Sequence, residues 1–201
     1  MASIEELSLE EKARLDEVVK RSQPSLQSEE VFNQCLAIIA EKECIDTAEE
    51  PKVSGTPIML SGDLITYTNS GPLTVATEHR YAGSVVMDYP DPLGNTYGNF
   101  ALGGSSDTSI QAAVVYGGKN SYNIDCLWLL AFGAKGDQVH AYVVCGPIDR
   151  FSPVAWDKTK EKIEISGDWG YYNDKDTGTS IYASIQNYGN GRYYVSASFY
   201  G

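Results

Sequence analysis

The sequence predicts a mainly β protein, an antiparallel β-sandwich preceded by a two-helix N-terminal extension. Three observations point there. Composition breaks near Pro51: all 19 glycines and every aromatic residue except Phe32 follow it, whereas residues 1–52 hold thirteen acidic and six basic residues. From Thr56 onward, short runs rich in Val, Ile, Thr, Tyr and Phe are separated by clusters of Gly, Asn, Asp and Pro, the pattern of strands and turns. No helical pattern interleaves these runs, which favours a mainly antiparallel sandwich or barrel over a parallel sheet. The expected organisation is a helical extension over residues 1–52 and a β-sandwich domain over 53–201.

In the extension, Ser8-Leu9-Glu10-Glu11 has the S-x-x-E form in which the serine caps a helix and the glutamate reaches back to a free backbone amide. It predicts a helix from about Leu9 to Lys20. A second helix begins after Pro24, with Ser28 as a candidate cap, and its Val31, Phe32, Cys35, Ile38 and Ile39 fall on one stripe at helical spacing. Such a stripe packs on the following domain or on the first helix; a partner-binding arm is the alternative.

Strands are expected near 57–60, 63–68, 73–78, 82–88, 97–103, 109–116, 126–132, 138–145, 162–166, 168–172, 179–186 and 192–200. Asn69-Ser70-Gly71, Gly133 to Asp137 and Asn187 to Gly191 have the composition of hairpin connections. The run from Cys126 to Phe132 is apolar throughout and short, so it predicts a strand covered on both faces. A second sheet would cover one face and the N-terminal stripe the other. Residues 138–145 begin with alternation, setting His140 and Tyr142 against Val139, Ala141 and Val143. The two runs together predict a central hairpin holding Trp128 and Val143.

Charge and composition exclude several functions. A formal charge of -12 and a pI near 4.5 oppose a surface that tracks phosphates, so nucleic acid is not an expected partner. The first twenty residues carry charges throughout and lack the apolar segment of a secretory signal, and no run is long enough for a transmembrane segment. The expectation is a cytoplasmic or nuclear protein. Cys35, Cys44, Cys126 and Cys145 match no zinc spacing and are expected as reduced, buried thiols, with a Cys126–Cys145 bridge left open.

Candidate chemistry is sparse. His79 and His140 have no neighbouring nucleophile or carboxylate at a catalytic spacing, and no metalloprotease, EF-hand, dinucleotide or kinase motif is present. Gly117-Gly118-Lys119-Asn120-Ser121 lacks the elements of a phosphate loop and reads as a turn. Asn173 to Gly178 gathers oxygen ligands but places its glycine one position wrong for a calcium loop starting at Asp174, and reads as a hairpin turn. Tyr89-Pro90-Asp91-Pro92 reads as a rigid connection. No catalytic residue, metal ligand or cofactor is assigned.

Aromatic residues crowd the last third of the chain. Their amphipathic rings suit either sheet surfaces or a face for sugars or lipid head groups. Adjacent tyrosines such as Tyr171-Tyr172 and Tyr193-Tyr194 point to opposite faces of a strand. Trp169, Tyr171, Tyr188 and Tyr193 are therefore the candidate ligand-binding residues.

Several short motifs carry a family resemblance: Tyr89-Pro90, Gly98-x-Phe100, Ala113-Val114-Val115-Tyr116, Cys126-x-Trp128-Leu129-x-x-Phe132, and Trp156-Asp157 after a Ser-Pro turn. In this order and spacing the chain resembles the plant jasmonate-induced proteins of the 23 kDa class. The likeness implies an intracellular plant protein of stress or defence responses and transfers no catalytic residue. An apolar strand, a Gly-rich turn and aromatic closing strands also look like the actinoporin and fungal lectin sandwich, a fold analogy that does not license function. The leading expectation is a noncatalytic, lectin-like binding module for a carbohydrate, a lipid head group or a protein. The alternatives are an enzyme of plant specialised metabolism, with a pocket among the C-terminal tyrosines and His140 or Asp168 as acid-base group, and a stress-abundant structural or storage protein.

Overall fold

The computed structural model describes residues 55–151 and 153–201. The two expected N-terminal helices and the domain boundary at residue 52 lie outside the described residues. Ten strands form two sheets packed face to face: β1 (Pro57–Tyr67), β2 (Thr74–Ala82), β3 (Ser84–Met87), β4 (Gly98–Ser105), β5 (Ile110–Lys119), β6 (Asp125–Lys135), β7 (Gln138–Pro147), β8 (Trp169–Asp174), β9 (Thr179–Gly189) and β10 (Arg192–Tyr200). One sheet has the order β3-β4-β1-β10-β9-β8 and the other β2-β5-β6-β7. A 3-10 turn, Ile148–Arg150, and one α-helix, α1 (Trp156–Glu164), lie between β7 and β8.

The expected antiparallel sandwich needs one correction. Strand β1 pairs with β10 in parallel, placing Met59 against Arg192 and Tyr67 against Tyr200. These are the first and last strands, so the whole domain serves as their connection and no crossover helix is required.

The central hairpin is as expected. Strands β6 and β7 pair from Cys126–Pro147 to Lys135–Gln138, with Leu130 opposite Val143. Trp128 and Val143 share the inter-sheet core with Leu60, Phe100, Tyr116 and Phe199. The indole Nε1 of Trp128 donates to the Tyr200 carbonyl at 3.1 Å, so its polar atom is satisfied where the ring is fully buried. The outer face of β6 is covered too; the N-terminal stripe expected there lies outside the described residues. Leu127, Leu129 and Ala131 pack with Ile163 of α1, Phe151 and Trp156.

Helix α1 replaces the strand expected at 162–166. Lys162-Ile163-Glu164-Ile165-Ser166 alternates like a strand, but Trp156, Thr159 and Ile163 lie at helical spacing, and Thr159 and Ile163 are buried. The residue before the helix, Ala155, supplies no side-chain cap, so the usual start signal is missing. Two further expectations change. The segments 57–60 and 63–68 form one continuous strand, because the Phe100 ring stands where a side chain at Gly62 would project. Asn69-Ser70-Gly71 joins β1 and β2, which belong to different sheets, and is not a hairpin. Likewise Gly117, Gly118 and Lys119 close strand β5, with the turn following at Asn120.

Candidate functional site

Among the described residues, two hairpin turns border an open cleft. Gly136-Asp137 joins β6 to β7, and Asn190-Gly191 joins β9 to β10. Asn190 and Gly191 have φ of 53° and 73°, the left-handed pair that a two-residue turn requires, and asparagine and glycine tolerate it best. The turns come from different sheets and meet at one end of the sandwich. With the start of β1 and Ser106 after β4, they line this open cleft of about 300 Å³, at the small end of ligand sites.

Hydrogen bonds hold its walls. The Tyr193 hydroxyl donates to the Gly136 carbonyl at 2.8 Å, and the Asn187 amide donates to the same carbonyl at 3.1 Å. The Asn187 side-chain oxygen accepts from the Gly189 amide at 2.8 Å. Across the cleft, the Thr56 amide donates to Ser106 Oγ at 3.0 Å and the Ser106 amide returns a bond to the Thr56 carbonyl at 2.8 Å. The Met59 amide donates to the Gly191 carbonyl at 2.8 Å, tying the β9–β10 turn to β1. The lining offers hydroxyls of Thr56 and Ser106, amides of Asn187 and Asn190, one carboxylate at Asp137, and the apolar surfaces of Ile58 and Tyr193. Such a set exchanges hydrogen bonds with a polyhydroxylated molecule while giving its carbon skeleton an apolar wall. Among the described residues no Lys or Arg lines it to hold an anion.

The four candidate residues do not converge. Tyr193 lines the cleft and is buried with its ring in the inter-sheet core. Tyr188 lies on the opposite face of the six-stranded sheet, where it is exposed, donates to Gln186 Oε1 at 2.6 Å and meets Tyr194 edge-on at 6.4 Å. Trp169 and Tyr171 stand on edge strand β8, level with Ser184 and Tyr182 rather than with Tyr188. The cleft is also lined by Thr56, Ser106, Asp137, Asn187 and Asn190, which the sequence did not single out. Its available signal was the pair of Gly-Asn-Asp turns already assigned as hairpins.

Other polar groups serve the fold. His140 Nδ1 is 2.7 Å from the Ser166 carbonyl, and His79 stacks on Trp156 at 5.1 Å; neither lines the cleft, nor does Asp168. Asp174 is buried, bonded by Arg150 at 2.6 Å and by the Asp176 amide at 3.0 Å within the β8–β9 turn. Among the described residues no group of three His, Cys, Asp or Glu could hold a metal ion, and no helix is long and apolar enough to cross a membrane. Cys126 and Cys145 are free and buried. Cys145 faces Trp128 and Cys126 faces Pro147, so the thiols are diagonal neighbours. That relation sets Cα atoms roughly 7–8 Å apart, beyond the usual disulfide span. Burial pushes the Cys145 thiol up to about 12, far from a reactive thiolate.

No family model matches the chain. A jasmonate-induced protein homolog from Atriplex canescens is 32% identical over 133 residues, 63% of this chain and 71% of that protein. The chain belongs to the jasmonate-induced protein family. Among solved structures, the lipid-binding protein Nakanori matches this chain with a TM-score of 0.59 at 12% identity, covering 92% of this chain and 85% of Nakanori. A mutated form of the Xerocomus chrysenteron lectin XCL matches at 0.50 and 11% identity, over 72% of this chain and 99% of the lectin. At such identities the likeness is one of fold alone.

Proposed function

We propose that this jasmonate-induced protein is a noncatalytic binding module of plant stress or defence responses that takes a neutral glycan in the cleft between the β6–β7 and β9–β10 turns. One observation carries the reading: neutral hydroxyl and amide groups surround a single carboxylate beside the apolar surfaces of Ile58 and Tyr193. A carboxylate accepts from two sugar hydroxyls at once and repels a phosphate, so the lining favours a sugar over an anionic head group. The protein's formal charge of -12 acts in the same sense. The fold fits a binding role, since its solved relatives are by name a lipid-binding protein and a lectin.

A glycan array followed by calorimetry tests the proposal. The full chain is expected to retain specific neutral glycans, Asp137→Ala is expected to weaken binding at least severalfold with the melting temperature unchanged, and Ser106→Ala, which also removes the bond to the Thr56 amide, is expected to weaken it with a small fall in melting temperature. Silence on the array, or glycan binding indifferent to both substitutions, refutes the assignment. Pelleting with phosphatidylcholine vesicles without glycan binding would make a lipid head group the ligand instead.

A further inference from the structure

Among the described residues one buried side-chain polar atom has no hydrogen-bond partner, the Tyr89 hydroxyl. Tyr89 follows edge strand β3, is 6% exposed, and lays its ring against Phe100 in the inter-sheet core. A phenylalanine would fill that place without burying an unpaired hydroxyl, which destabilises a fold wherever it stays dry. The surroundings give the hydroxyl a use. Strand β2 is an edge of the other sheet and is joined to β3 through Gly83 alone, so two sheet edges meet along one side of the sandwich. Register sets Glu78 opposite Val114 and Arg80 opposite Ala112, both in the inter-sheet core, so Glu78 and Arg80 turn inward from β2 on that side. Both are exposed, and among the described residues neither joins an ion pair. Burial raises the Tyr89 hydroxyl above its ordinary range, Glu78 and Tyr116 raise it further and Arg80 opposes them, which places all three within electrostatic reach of it. Tyr116 is also tied to the neighbouring residue, its hydroxyl donating to the Pro90 carbonyl at 2.8 Å.

We propose that this side of the sandwich binds a small zwitterion of the free amino-acid class, its carboxylate taken by Arg80 and the Tyr89 hydroxyl and its ammonium by Glu78. Charge selects the class. A lone anion is repelled by Glu78 and a lone cation by Arg80, whereas a ligand carrying both charges pairs with each. Spacing agrees. Two residues apart on one face of a strand, the carboxylate and guanidinium side chains are rooted about 7 Å apart, and both are long enough to close on a molecule of that size. The hydroxyl lies deeper than either charge and donates to the ligand carboxylate, which supplies the bond the fold itself leaves unmade. None of these residues lines the cleft between the β6–β7 and β9–β10 turns, so this site does not rest on the glycan reading.

Calorimetry of the full chain against each of the twenty free L-amino acids tests this. At least one is expected to bind. Tyr89→Phe should weaken that binding about tenfold while the melting temperature of the ligand-free protein rises. Arg80→Met removes an exposed charge, so it should fold as the native protein does and lose the binding outright. Heat from none of the twenty overturns the proposal, as does binding that is indifferent to either substitution. A fall in the ligand-free melting temperature of Tyr89→Phe overturns it too, because the hydroxyl would then be holding a structural water. Should Tyr89→Phe fail to fold, Arg80→Met and Glu78→Gln, both at exposed positions, decide the matter by the same titration.

Discussion

Replacing Asn120 by alanine measures how one buried side chain fastens the end of the sandwich opposite the cleft. Asn120 is 0% exposed and makes three side-chain bonds. Its amide nitrogen donates to the Thr177 carbonyl at 2.7 Å, and its oxygen accepts from the Tyr122 and Ile124 amides at 3.0 and 2.8 Å. The first bond joins the β5–β6 turn of one sheet to the β8–β9 turn of the other; the other two shape the β5–β6 turn itself. At about 1 kcal/mol net per bond the loss is roughly 3 kcal/mol, and more if the Thr177 carbonyl stays dry. For a chain of this length that corresponds to a fall in melting temperature of about 6–12 °C. Urea denaturation of Asn120→Ala, with Tyr122→Ala as control, is the assay. Tyr122 is 73% exposed and contributes only its backbone amide to this network, so its substitution should change stability by no more than about 0.5 kcal/mol. If Asn120→Ala behaves like the control, the side chain does not join the sheets and the reasoning fails.

Two further substitutions probe buried groups by other routes. The Tyr89 hydroxyl is buried with no hydrogen-bond partner among the described residues, and the ring packs on Phe100 at 4.9 Å. Tyr89→Phe should therefore raise stability by about 1 kcal/mol, and a clear loss in thermal unfolding would mean that the hydroxyl is satisfied. Burial raises the Asp63 carboxyl above its ordinary range, opposed by the bond it accepts from Tyr194 at 2.7 Å. The native state then holds this proton more tightly than the unfolded chain, so stability falls as pH rises from the unfolded value toward the raised native one. Asp63→Asn should gain on the native protein between pH 4 and pH 7 in paired urea titrations, and an opposite trend would show that the Tyr194 bond outweighs burial.

Much of the sandwich was legible because its strands obey local rules. The apolar run of β6, the alternation of β7 and the Gly-containing turns at 133–137 and 187–191 each carry their own physical signal, and all three stand as expected. Where the reading failed, a local rule met a partner distant in sequence. The gap expected between strands at 57–60 and 63–68 is closed, and Phe100 from β4 fills the space beside Gly62 there. The segment ending in Ile163 and Ile165 alternates like a strand, yet the exposed outer face of β6 recruits it as a helix. Parallel pairing of β1 with β10 has no sequence signature at all, since it depends on where the two ends of the domain meet.

The cleft was illegible for a related reason. Thr56 and Asn190 are far apart in the chain, and each is an ordinary residue of a turn or strand start; only closure of the sandwich brings them to one wall. Aromatic density pointed instead to the sheet faces, and alternation divided the candidates between them. Tyr193 turns inward and reaches the cleft, whereas Tyr194 turns outward to Asp63. Adjacent tyrosines thus serve the two sides of one sheet. The inner residue fixes the β6–β7 turn through Gly136, and the outer one bonds Asp63 of β1 on the other face of the sheet.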